Sequence, residues 1–211
     1  MTETMEKTDW TNYYRNPFPT AGLLRRITAS RLIRAMRDSG ILRKPGRVIE
    51  LGGGGSSFAM RLTRCFPCTR YTAVDSNPEG LKRFQDLALP CEKECVEADL
   101  LRDRPDIRAD FVFSAGLIEH FPPEETRALI RTHLDMTGAG GFTAFLFPVD
   151  TRLYRMVRRM AERANLWRFP DERALAWSEA EEAAGLPPVR KERIASVLLT
   201  QELLIFHKEN D

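Results

Sequence analysis

Residues 47–57 read Arg47-Val48-Ile49-Glu50-Leu51-Gly52-Gly53-Gly54-Gly55-Ser56-Ser57, and the fold turns on them. Val48, Ile49 and Leu51 form a short, β-branched apolar run, the pattern of a parallel strand buried on both faces. Four glycines follow, so the backbone can turn sharply with no Cβ in the way. Ser56 and Ser57 lead into Phe58–Arg64, which reads as a helix. A strand, a glycine turn and a helix place free N–H groups beside the carboxyl end of the strand, where open α/β sheets bind cofactors.

Spacing then selects the ligand. A dinucleotide fingerprint, Gly-x-Gly-x-x-Gly, is met at Gly52 and Gly54 but finds Ser57 in its third place. An acid followed by small residues at alternate positions fits instead, at Glu50, Gly52, Gly54 and Ser56. This resembles the first motif of the class I S-adenosylmethionine-dependent methyltransferases, acid-x-Gly-x-Gly-x-Gly, with Ser56 replacing the last glycine. The resemblance implies that the loop packs against the methionine part of the cofactor and that Glu50 helps place its amino group. A glycine-rich turn with no ligand is the plainer alternative.

Three further strand ends extend the resemblance. Tyr71–Val74 reads as a strand ending at Asp75, followed by Ser76. An acid here, roughly 20 residues past the glycine turn, can accept both ribose hydroxyl protons. Asp75 could equally cap the helix expected from Pro78 to about Leu87. Glu94–Ala98 reads as a third strand, ending at Asp99-Leu100. The resemblance implies that Asp99 accepts from the adenine amine while Leu100 covers the ring. An aspartate that merely opens a turn is the alternative.

Asp110–Ser114 reads as a fourth strand, running on as Ala115-Gly116-Leu117-Ile118-Glu119-His120-Phe121. An apolar-Glu-His ending is similar to that of small-molecule methyltransferases. It implies that Ser114–Leu117 border the methionine half, with Glu119 and His120 beside the acceptor. His120 is the candidate general base, because imidazole titrates near working pH. Packing beneath the loop is the alternative, and His133 and His207 read as structural.

Thr137–Gly141 reads as a glycine-rich turn and Phe142–Phe147 as an apolar fifth strand stopped by Pro148. Val189–Leu198 and Gln201–His207 read as strands joined too tightly for a crossover helix, so they pair antiparallel. The expected fold is α/β, a Rossmann-like three-layer sandwich with a mostly parallel seven-stranded sheet and an antiparallel last strand. An antiparallel close is characteristic of class I methyltransferases, whereas a dinucleotide domain continues in parallel.

Residues 1–40 read as an N-terminal helical lid segment and 41–211 as the methyltransferase domain, with 150–177 inserted after strand five as an acceptor-site cover. Met1–Thr8 reads as a frayed end. Trp10, Tyr13, Tyr14 and Phe18 crowd a short segment bounded by Pro17 and Pro19. Tyr13 and Tyr14, with Glu119, are the candidate substrate contacts, covering of a core edge being the alternative for the tyrosines. Ala21–Ser39 reads as a helix whose arginines, Arg25 among them, are solvated. In Asp150–Trp167, Arg152, Arg155, Arg159 and Arg163 share one helical face and Leu153, Met156, Val157 and Met160 another. Trp167, Phe169, Pro170 and Trp177 supply bulk for an apolar pocket, and Ser178 with Glu181 reads as a capping box.

The 211 residues carry a net charge of +2, which draws no nucleic acid, and no apolar run is long enough to cross a bilayer. The N-terminal twenty residues lack a signal peptide's apolar segment, so a cytoplasmic monomer or homodimer is expected. Cys65, Cys68, Cys91 and Cys95 leave a structural zinc or independent core residues open, disulfides being disfavoured there. The expected activity is methyl transfer from S-adenosylmethionine to an O, N or C nucleophile of a small molecule, with S-adenosylhomocysteine as product. A nicotinamide-dependent oxidoreductase and a non-catalytic binding protein are the rivals. Methyl transfer needs the tips of the first three strands open to an adenosine.

Overall fold

A computed structural model describes residues 7–16, 21–44, 46–195 and 200–210. The elements in order are α1 (Trp10–Arg15), α2 (Ala21–Asp38), β1 (Gly46–Leu51), α3 (Ala59–Cys65), β2 (Cys68–Asp75), α4 (Pro78–Gln85), β3 (Glu92–Glu97) and β4 (Ala109–Ala115). A single 3-10 turn (Ile118–His120) follows, then α5 (Pro123–Met136), β5 (Thr137–Pro148), α6 (Arg152–Arg163), α7 (Trp177–Ala184), β6 (Arg190–Ala195) and β7 (Thr200–His207). The seven strands lie in the order β3-β2-β1-β4-β5-β7-β6. β1 to β5 pair in parallel, and β7 runs antiparallel to both β5 and β6. The strand order reverses beside β1, which puts the switch-point crevice above the glycine turn.

Alternation along each strand splits the apolar runs between two faces. Val48, Tyr71, Ala73, Phe111, Phe113, Ala144 and Leu146 pack with α2, α3 and α4. Their neighbours Phe145, Phe147, Leu204 and Phe206 pack with α5 and α7, and Ile49, Leu51, Val74 and Val112 join Met136. Both faces of the central strands are covered, so β1, β4 and β5 carry near-continuous apolar runs, while the edge strands β3 and β6 are charged. Truncating a fully buried ring such as Phe113 would cost about 3–5 kcal/mol.

Several expectations change at the edges. Thr8 is not frayed: it is buried, and its amide donates to Asp171 Oδ2 at 3.1 Å. Residues 1–6, Pro17, Phe18, Pro19 and Leu198 lie outside the described residues. The Thr137–Gly141 run is the start of β5 rather than a turn. Thr137 pairs with Ala109, and a Cβ on Gly141 would stand 3.0 Å from the Asp110 carbonyl, so small residues let this strand run close to β4. α6 stops at Arg163, short of Trp167, and its Met156 and Met160 are 53% and 63% exposed. That apolar face therefore covers no pocket in the described structure. Ser178 lies inside the first turn of α7, which Ala176 precedes without a side-chain cap, so the expected capping box does not form. The thiols do not converge either: Cys65 is exposed, and Cys95 pairs with Ala73 in mid-strand and donates to the Leu81 carbonyl. Burial, with Cys91 beside it, pushes the Cys68 thiol up to about 12.

Candidate active site

The cofactor end is built from the tips of β1 and β2. Gly52 (φ 68°) and Gly55 (φ 60°) adopt the left-handed conformation that side chains resist. The Gly52 and Gly53 amides donate to the Val74 carbonyl at 2.8 and 3.2 Å, which folds the loop back over β2. The Gly54 amide donates to Asp75 Oδ2 at 2.8 Å. A Cβ on Gly54 would stand 2.6 Å from that same oxygen, so only glycine fits here. The helix after Asp75 is capped by Asn77, whose side chain accepts from the Glu79 and Gly80 amides. Asp75 is thus spared that task and stays at the strand tip, where burial raises its pKa against the opposing pull of the Asn77 and Gly54 amides.

Glu50 is turned into the core. Its Oε2 accepts from Ser56 and from the Tyr71 hydroxyl at 2.5 Å, and burial raises its pKa to about 7. Ser56 also accepts from the Phe58 and Ala59 amides at 3.1 and 3.0 Å, so the residue that replaces a glycine caps the start of α3. Ser76 follows Asp75, exposed. Asp99 reaches the end of β3 but accepts from the Leu101 amide at 3.1 Å, the turn-opening use, while Leu100 packs into the core. Ser114 is paired with Leu51 and its buried Oγ has no partner among the described residues. A glycine cradle beside Asp75 and an orphaned hydroxyl are the features an adenosyl cofactor would complete.

At the other end, beyond β4, the 3-10 turn presents Glu119 and His120. His120 Nδ1 lies 3.0 Å from Asp171 Oδ1. Burial pulls the imidazole pKa down, but that bond and the charges of Glu119 and Glu172 outweigh it, leaving it raised. Glu119 is buried, its Oε2 has no partner among the described residues, and burial raises its carboxyl to about 7. Donor atoms of Glu119, His120 and Glu172 all lie within 4.8 Å of one another.

α1 joins the two ends. Trp10 meets His120 edge-on at 4.8 Å between ring centroids, and Tyr13 meets Phe169 at 5.3 Å. The Tyr14 hydroxyl donates to Asp75 Oδ2 at 2.9 Å, and a Cβ on Gly80 would stand 2.6 Å from the Tyr14 ring. The tip of β2 is therefore not open: Tyr14 sits in the groove between Gly54 and Gly80. Arg25 is not solvated as expected. It donates to Ser57 Oγ at 3.2 Å and lies over the Tyr13 ring, and burial lowers its pKa.

Thr8, Arg25, Asp171 and Glu172 were not legible as site residues. The first two sit in polar stretches and the acids in a charged loop, Asp171-Glu172-Arg173, none with a period or motif. Only the aromatic density around Trp10 and Phe169 marked these segments.

Residues 48–141 match the family model of a methyltransferase domain, and the sheet order is that of the methyltransferase Rossmann-like fold. No curated protein matches the sequence. Among solved structures, the chain is similar to magnesium protoporphyrin IX methyltransferase from Synechocystis PCC 6803 with bound SAH, at 14% identity and a TM-score of 0.72, covering 95% of this chain and 93% of that one. It is similar to the N-methyltransferase NodS from Bradyrhizobium japonicum WM9 in complex with S-adenosyl-L-homocysteine, at 17% identity and 0.63, covering 93% and 90%. It is also similar to an O-methyltransferase family protein from Burkholderia thailandensis, at 16% and 0.64, covering 88% and 60%. No described helix is long and apolar enough to cross a membrane.

Proposed function

We propose that this protein transfers a methyl group from S-adenosylmethionine to an O, N or C nucleophile of a small molecule. The observation that carries it is Asp75 held at the tip of β2 by the Gly54 amide, beside a glycine turn that only glycines can make. S-adenosylmethionine supplies a methyl group already made electrophilic by its sulfonium. The chain's task is then to bind, align and exclude water.

In this assignment Gly52 and Gly54 form the cradle and Asp75, with Ser76 beside it, holds the ribose. Asp99 and Leu100 meet the adenine once Asp99 turns from Leu101. Glu50 supplies negative charge beneath the methionine amine, and Ser114 gives its unpartnered hydroxyl to the methionine end. His120 takes the acceptor's proton at Nε2, since Asp171 holds Nδ1 and fixes the ring. Tyr13 and Tyr14 belong to a lid within 1–40 that closes over the domain 41–211. From the 150–177 segment it is Phe169 and Asp171, not the apolar face of α6, that cover the acceptor. Tyr14 must leave Asp75 before a ribose can take its place. Four free thiols support a cytoplasmic setting, and a monomer or homodimer fits the site, which needs no second chain.

Calorimetry with S-adenosylhomocysteine and with NADH separates the rivals. Heat with the first and none with the second is expected; the reverse would make the protein an oxidoreductase. A protein that binds S-adenosylhomocysteine but methylates no acceptor would be a binding module.

A further inference from the structure

The acceptor end holds more acid than its bases balance. Glu119, Asp171 and Glu172 gather around His120. Asp171 is matched by His120 and Thr8, but Glu172 Oε1 takes the Tyr154 hydroxyl, at 2.7 Å, and its carboxylate forms no direct ion pair with an arginine or lysine among the described residues, the Arg158 charge acting on it from farther off. Glu119 is 2% exposed and its Oε2 has no partner among the described residues, so neither protein nor bulk water answers that oxygen. The neighbouring arginines, Arg173 and Arg158, offset part of this charge from a distance, but their hydrogen bonds go elsewhere. The Arg173 guanidinium donates to Glu179, Thr126 and the Phe121 carbonyl. Arg158 donates to Glu162, to the Tyr154 hydroxyl and to the backbone carbonyl of Glu172.

Aromatic rings gather around His120, beside the acids. Trp10 and Phe169 approach His120 at 4.8 and 5.8 Å, and Trp167 meets Phe169 at 6.0 Å. Two rings of the group already hold a cation, Arg25 over Tyr13 at 5.3 Å and Arg158 over Trp167 at 5.4 Å. Carboxylates within an aromatic wall recognise organic ammonium groups, and they disfavour carboxylate and phosphate ligands.

We propose that the acceptor is an amine, its nitrogen between Glu119 and His120 and its carbon frame against Trp10 and Phe169. This rests on the methyl-transfer assignment above. Glu119 faces the donor side, since a Cβ on Gly116, just past β4, would stand 3.8 Å from its Oε1. The bound ammonium first gives a proton to Glu119. The freed nitrogen lone pair then attacks the methyl carbon as the carbon–sulfur bond breaks toward sulfur, leaving a neutral thioether and a methylated ammonium that departs as the cation or passes its proton to His120. The acids stabilise the positive charge that forms on nitrogen. A carboxyl whose burial brings it to about 7 is suited to receiving the first proton.

The test is calorimetry on the full chain saturated with S-adenosylhomocysteine, using phenethylamine, 2-phenylethanol and 3-phenylpropionate as matched probes. The amine should bind at least about tenfold more tightly than the other two. Glu119→Gln and Glu172→Gln should each collapse that preference, and both replace a buried acid with a neutral isostere, so folding is retained. Equal affinities, no binding of any probe, or a preference that survives both variants would overturn the proposal. So would tight binding of Mn2+ alone, lost in Glu119→Gln, because the same donors would then be holding a metal. The amine titration is repeated without S-adenosylhomocysteine. A wild type that takes up no S-adenosylhomocysteine yet keeps the amine preference would break the methyl-transfer assignment alone.

Discussion

Asp75 meets Gly54 across 21 residues, through two neighbouring strands, whereas Asp171 meets His120 across 51 and Thr8 across 163. The first end of the site is local and set by backbone: glycines at positive φ, amides and a strand tip. The second is assembled from side chains on α1, the 3-10 turn and the loop before α7, each held by the others. Backbone-built sites tolerate change in what surrounds them, because their geometry follows from strand pairing. Side-chain-built sites can be respecified without disturbing the sheet, which suits an end that chooses the acceptor.

Breaking the acceptor end should give the largest effect. His120→Gln should lower kcat about a thousandfold while leaving S-adenosylhomocysteine affinity unchanged, measured by radiolabelled methyl transfer beside calorimetry. An equal loss of affinity would mean that the two ends are not separable.

At the cofactor end, Glu50 offers a stability test. Its folded pKa of about 7 lies above the value near 4.3 of an unfolded glutamate, so the folded state holds the proton more tightly. Stability contributed by this group is present at low pH and declines as pH rises from about 4 to about 7. Thermal melts of Glu50→Gln should show a gain on the order of 3 kcal/mol at pH 8 that vanishes near pH 4. No difference between the two pH values would show that Glu50 is ionised at no cost, and so already paired.

The smallest effect should come where the two ends touch. Tyr14→Phe frees one acceptor site on Asp75 and should tighten S-adenosylhomocysteine by about fivefold, near 1 kcal/mol. Weaker binding would mean that the Tyr14 hydroxyl contacts the cofactor rather than standing in its place.

This division also explains what the sequence disclosed. The succession of strands along the chain, the antiparallel close and the place of Asp75 at a strand end were legible, because period-two apolar runs and glycine spacing are local signals, whereas the spatial order of the strands was not. That Asn77, not Asp75, caps α4 required side-chain geometry to see. α6 misled, since an amphipathic wheel says which faces differ but not which one meets the protein. It is Tyr154, on neither the expected arginine face nor the apolar one, that is buried. The acids at 171 and 172 carried no signal, because their partners lie on segments remote in the chain.

The most direct measurement is a calorimetric titration of the wild type and Asp75→Ala with S-adenosylhomocysteine. Two charge-assisted ribose bonds predict about 3 kcal/mol, so the variant should bind at least about a hundredfold more weakly, with its melting behaviour otherwise retained. Unchanged affinity in Asp75→Ala would place the adenosine somewhere other than the tips of β1 and β2 and contradict the account.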